Sequence, residues 1–244
     1  MPDSVPSRSI TVLLAAFASL GLCRISAQAP PPPPQRFVVV LDAAHGGAES
    51  GGLIGDASNQ TQPEKNFTLA LSVRMRSLLA ARGISVVTTR ESDVQVDADR
   101  RAEIANRSNA QACLTLHASQ SGAGIHIFAS SLSPAEQATM LPWKTAQAAW
   151  ITRSLALAGI INSSLTNAGV NVSLGRTDLP AINSMACPAL AIEIGKQSAQ
   201  DKSQSGLEDA DYQARIAQAL TAAILEWKST GPRATSASTE AARP

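Results

Sequence analysis

Residues 37–41, Phe-Val-Val-Val-Leu, run without a polar break. So short and so apolar a segment reads as a strand covered on both faces. Such a strand needs a packed layer on each side of its sheet, and the chain that follows supplies the pattern for those layers. Residues 62–82 put Phe67, Leu71, Met75, Leu78 and Leu79 on one helical face, with Gly83 placed to terminate the helix. Further strands are expected over residues 84–88, 112–116, 125–128 and 189–194. Helices are expected over residues 98–108, 144–158 and 212–227, the middle one after the capping-box spacing of Ser133-Pro134-Ala135-Glu136. Alternation of this kind implies an α/β domain, its sheet largely parallel and its helices on both faces.

The 244 residues, 44% of them apolar, supply one substantial core and too little for two large ones. Aromatic residues make up only 3%, so Leu, Ile, Val and Ala must build that core. A net charge of +1 with scattered basic residues excludes the strong field that nucleic acid rewards.

Arg8, an apolar run over residues 10–22 and the small-x-small pattern Ala27-Gln28-Ala29 read as a signal peptide over residues 1–29. The run is shorter than the roughly 20 residues that span a bilayer, so export with cleavage is expected, and no permanent membrane span after it. Residues 30–35 are expected to form a proline-rich spacer, residues 36–228 the folded domain, and residues 229–244 a disordered tail of Ser, Thr, Ala, Gly and Pro. Cys113 and Cys187 each lie in an apolar stretch. Two buried thiols are the plainer reading, with a disulfide open to them in an oxidising compartment.

In open α/β sheets functional groups gather beyond the carboxyl ends of the strands. His45, His117 and Glu193 all sit at such ends. A carboxylate in the apolar run around Glu193 needs a partner charge or a function. Glu64, fourth in Thr61-Gln62-Pro63-Glu64, fits a capping box, and His126 fits an ordinary polar strand face. The glycines of residues 46–52 lack the order of a dinucleotide fingerprint, no P-loop lysine follows them, and no serine nucleophile elbow is present. Two histidines and a glutamate can hold a zinc ion with one position open, and a second glutamate can move protons.

Six blocks then align in order: residues 39–47 with Asp42 and His45-Gly46-Gly47; Glu64-Lys65-Asn66; Thr89-Arg90 with Asp93; Arg101 with Ala105-Asn106; Leu116-His117-Ala118-Ser119; and residues 188–195 with Glu193-Ile194-Gly195. Together they resemble the zinc-dependent N-acetylmuramoyl-L-alanine amidases of bacterial cell walls. The resemblance implies a twisted sheet of about six strands, Zn2+ held by His45, Glu64 and His117, and Glu193 as the catalytic acid and base. It implies peptidoglycan as the partner, cut between N-acetylmuramic acid and L-alanine in the periplasm or outside the cell. It also shifts Glu64 from cap to ligand.

Three positions depart from the family pattern. Ala44 stands where glycine is usual, which would strain a positive φ. Ser119 replaces an asparagine, and Lys196-Gln197-Ser198-Ala199 replaces the usual Phe-x-Ser-Asn. These departures leave two alternatives: an amidase fold that binds wall fragments without cutting them, and a zinc carboxypeptidase acting elsewhere on the stem peptide.

Overall fold

The apolar run becomes β1 (Val38–Ala43), whose Val39, Val40 and Leu41 have no solvent exposure. In the computed structural model the described residues are 36–55, 61–135, 142–197, 207 and 209–230. The expected signal peptide, Glu136 of the capping box, Ser198-Ala199 and residues 231–244 lie outside them. After β1 come a short antiparallel pair, β2 (Leu53–Gly55) and β3 (Thr61–Pro63), then α1 (Glu64–Ala80), β4 (Ser85–Thr88) and α2 (Ala98–Arg107). β5 (Ala112–Ala123) and β6 (Ile125–Ser130) are followed by a 3-10 helix (Trp143–Ala149), α3 (Ile151–Asn167), β7 (Val172–Thr177) and α4 (Pro180–Asn183). β8 (Ala189–Lys196) and α5 (Ala210–Thr230) complete the order.

The strands form one six-stranded sheet in the order β4-β1-β5-β8-β6-β7. Every pairing is parallel except β6 with β8. The fold is thus the expected α/β domain with a mostly parallel sheet. α1, α3 and α5 bury Met75, Leu79, Leu157, Ile161, Leu220 and Ile224 in a cluster with Leu114 and Ile192 on one face. α2 and α4 cover the other face, where Ala102, Ala105 and Ile182 meet Val40, Cys113 and Ala189. Each fully buried Leu or Ile contributes on the order of 2 kcal/mol by leaving water. Small residues on the second face let α2 approach closely.

Gly83 ends α1 as its position suggests: it takes φ +71°, and the Ile84 amide donates back to the Leu79 carbonyl at 3.1 Å. At the other end of α1 the capping box does not form. Pro63 is the N-cap with no side-chain cap bond, because Thr61 is paired in β3.

Cys113 and Cys187 are not the buried free thiols expected as the plainer reading. Cys113 on β5 and Cys187 ahead of β8 are joined as a disulfide with their Cα atoms 6.3 Å apart. Both belong to the same apolar cluster on the α2 face, so the burial that made them read as small hydrophobes is what brings them together. Ala44 carries no strain, because the positive φ falls one residue later, on His45 at +62°.

Candidate active site

The site lies where the carboxyl ends of β1 and β5 meet the first turn of α1. His45 follows β1, His117 lies within β5, and Glu64 is the first residue of α1. Their donor atoms all lie within 4.8 Å of one another. Glu64 sits between the two rings: Oε2 is 3.2 Å from His45 Nε2, and Oε1 is 3.1 Å from His117 Nδ1. The rings meet edge-on with centroids 5.3 Å apart. Backbone amides of Gly52 and Ala118 donate to the same carboxylate at 3.0 Å each.

Glu64 is only 6% exposed. Burial pushes its carboxyl up, but the His117 hydrogen bond, the Ala118 and Gly52 amides and the nearby His45 ring outweigh that and hold its pKa at about 2. The residue is therefore an anion throughout the physiological range. Two imidazole nitrogens and one carboxylate oxygen form a donor set that suits zinc, whose bonds to such atoms run about 2.0–2.2 Å, and three protein ligands leave a position open. The other nitrogen of His45 is occupied as well. Nδ1 lies 3.1 Å from Glu49 Oε1, a contact that fixes the ring and leaves Nε2 turned inward.

The backbone of the His45 loop is pinned from behind. Asp42, 1% exposed, accepts from Arg101 Nη1 at 2.5 Å, Thr89 Oγ1 at 2.6 Å and Thr115 Oγ1 at 3.0 Å. Arg101 also donates to the carbonyls of Ala43 and His45 at 2.7 and 2.9 Å. Arg90 donates to those of Ala43 and Ala44 at 2.9 and 3.0 Å. Three consecutive carbonyls are thereby turned toward buried guanidinium groups, which holds His45 in its left-handed conformation. Lys65, in the block with Glu64, reaches the Gly47 carbonyl at 2.8 Å and Asp93 at 2.6 Å.

Glu193 stands on β8 in register with His117 on β5. Register partners on neighbouring strands share a sheet face. Both line a cavity of about 370 Å3 with Glu64, Leu53, Ser119 and Gln120. Among the described residues the Glu193 side chain has no hydrogen bond or ion pair, unlike that of Glu64, which lines the same cavity. The four residues singled out in the sequence are thus gathered at one end of the sheet. Ser119 turns its hydroxyl to Ser121, 2.8 Å between the oxygens, and Gln120 ties β5 to the Gly55 carbonyl at 2.7 Å.

Residues 39–226 match the family of N-acetylmuramoyl-L-alanine amidases. The chain belongs to this family. Among curated relatives, the N-acetylmuramoyl-L-alanine amidase Rv3717 of Mycobacterium tuberculosis is 28% identical over 228 residues, which cover 84% of this chain and 92% of that one. The amidase AmiA of Escherichia coli is 35% identical over 98 residues, covering 38% of this chain and 32% of AmiA. The catalytic domain of CwlV, the amidase from Bacillus (Paenibacillus) polymyxa, superposes with a TM-score of 0.62 at 24% identity, over 79% of this chain and 98% of that domain. At that identity the superposition speaks for the amidase fold alone.

Sequence reasoning missed several residues that shape this site. Glu49 has no role in the sequence reading, although its i+4 spacing from His45 is a usable signal. Gly51 was one of a run of glycines with no assigned role. A Cβ there would stand 2.6 Å from His45 Cδ2 and 2.7 Å from Glu64 Oε2, so only glycine lets the two ligands close on each other.

Proposed function

We propose that this amidase is a zinc-dependent, exported peptidoglycan hydrolase that cuts the amide between N-acetylmuramic acid and the first L-alanine of the stem peptide. The observation that carries the reading is the convergence of the donor atoms of His45, Glu64 and His117, beside a cavity that Glu64 and His117 share with Glu193, whose side chain has no partner among the described residues, in a chain of this family. Bound by the first three, zinc supplies Lewis-acid polarisation of the scissile carbonyl and acidifies water.

The protein's own groups account for the remainder. Glu49 orients His45, and the Gly52 and Ala118 amides keep Glu64 ionised and facing the rings. Glu193 takes a proton from the water that attacks the carbonyl carbon, then delivers a proton to the alanine nitrogen as the C–N bond breaks. Water is consumed, and a carboxylic acid and a free amine are released. Leu53, 63% exposed at the rim, offers apolar surface to the substrate.

Two observations support export. Residues 1–29 have the composition of a signal peptide, and a Cys113–Cys187 disulfide is a bond that persists in oxidising compartments. No helix among the described residues is long and apolar enough to cross a membrane.

Digestion of purified peptidoglycan, with and without chelator, followed by mass analysis of the products, tests the reading. Stem peptides with a free L-alanine amine are expected, and only with metal present. Glu193→Gln should keep its zinc and lose roughly 10²- to 10⁴-fold in turnover, whereas His117→Ala should lose both zinc and turnover. Products shortened at the far end of the stem would indicate a carboxypeptidase, and binding without release would indicate a wall-binding module.

A further inference from the structure

Glu193 has a second neighbour in register. Across the antiparallel pairing of β6 and β8 it faces His126, and His126 in turn faces Ser173 on β7. His117, Glu193, His126 and Ser173 therefore form one row across four adjacent strands, on one face of the sheet. The row one step inward, Thr115, Ala191, Phe128 and Gly175, closes against the core, and Phe128 stacks under the His126 ring with centroids 6.3 Å apart. Packing thus ends, and the accessible surface begins, at the row that holds the histidine.

The imidazole is also oriented. Ser173 Oγ lies 2.5 Å from His126 Nδ1, while Nε2 has no hydrogen-bond partner among the described residues. Its nearest obstacle would be a side chain at position 122, and that residue is an exposed glycine; a Cβ there would come within 3.3 Å of Nε2. A strand histidine satisfied on both nitrogens would be a plain polar-face residue. This one is held by one nitrogen and leaves the other unpaired among the described residues, on the strand next to that of the proposed acid and base.

We propose, resting on the amidase reading above, that His126 is a further substrate-contacting residue, with Ser173 as its positioning residue, and that it binds an oxygen of the leaving stem peptide. Glu193 protonates the amine, so the peptide product departs on the Glu193 side of the metal ligands, the side on which His126 stands. Strands are spaced about 4.8 Å apart, which puts His126 roughly 10 Å from His117 along the row. An extended peptide advances about 3.4 Å per residue, so the ring meets the stem about three residues past the scissile amide. With the Ser173 hydroxyl donating to Nδ1, Nε2 carries the ring hydrogen and donates to a carbonyl or carboxylate oxygen.

The test compares N-acetylmuramoyl-L-alanine with a muramoyl substrate carrying a longer stem peptide, in the zinc-loaded protein and in His126→Ala and Ser173→Ala. In wild type the longer stem should lower KM. In His126→Ala that preference should shrink roughly tenfold, through KM rather than kcat, with a smaller shrinkage in Ser173→Ala. Calorimetric binding of the released stem peptide should weaken by the same factor, with zinc content and thermal midpoint held. An unchanged preference, or an equal loss on both substrates, overturns the proposal. Should wild type cleave neither substrate, the amidase reading fails, and peptide binding undiminished in His126→Ala then overturns the His126 proposal as well.

Discussion

Arg101 donates to the carbonyl of His45 at 2.9 Å while its other nitrogen holds the buried carboxylate of Asp42. One guanidinium therefore joins the interior of the sheet to the backbone of a candidate metal ligand. Arg101→Met should weaken zinc affinity by about 10- to 100-fold, the scale seen when the groups behind a ligand are removed. It should also cost about 3–5 kcal/mol of stability, because Asp42 is left buried without its partner. Competitive zinc titration and denaturant unfolding read the two effects separately. Full affinity in the variant would mean that Arg90 alone sets the loop.

Gly51 is the contact point between two candidate ligands, His45 and Glu64. Gly51→Ala would place a methyl group less than 3 Å from both His45 and Glu64, at a φ of +69° that alanine adopts only under strain. The expected result is loss of zinc with the fold retained, seen as low metal content beside a native-like circular dichroism spectrum. Metal content equal to wild type would show that the loop can retreat without opening the site.

The disulfide spans 74 residues. By chain entropy, closing a loop of that length contributes roughly 4 kcal/mol. Replacing Cys113 and Cys187 together by alanine should lower the denaturant midpoint accordingly, and reductant should destabilise wild type but not the double variant.

Glu64 gives the metal-free protein an acid dependence with a definite sign. Its carboxyl lies at about 2 when folded against an ordinary 4.5, so between those values the unfolded chain binds the proton more readily. The resulting stabilisation, on the order of 2–3 kcal/mol, is complete above about pH 4.5 and is lost as pH falls toward 2. Unfolding free energies of zinc-free wild type and Glu64→Gln, measured from pH 5 to 2.5, should converge as the pH drops. Parallel curves would remove the carboxylate from this role.

Much of the fold was legible because burial on both faces writes itself into sequence: residues 37–41 and 189–194 are strands for that reason. β7 was not foreseen. It is an edge strand whose Ser173, Leu174, Arg176 and Thr177 are exposed, so neither an apolar run nor a clean alternation marks it. β5 runs on to Ala123, past its expected end at residue 116, through Ser119, Gln120 and Ser121, whose polar side chains give no strand signal. The candidate ligands His45, Glu64 and His117 are legible only through residues that recur together in a family, since no local spacing connects them. The pairing of His126 with Glu193 could not be read at all, because it depends on which strands become neighbours.

That neighbour order has a consequence in time. β5 and β6 are consecutive in the chain, separated only by Gly124, yet β8 lies between them, with the Gly124 amide donating to the Lys196 carbonyl and the Gly195 amide to Gly124. The last strand to be synthesised is an interior one, and it brings Glu193 with it. A chain stopped anywhere before residue 189 can hold all three candidate ligands and still lack Glu193, the proposed acid and base. The proposed site is thereby incomplete until the final strand has slid into place, the same movement that brings Cys187 to Cys113.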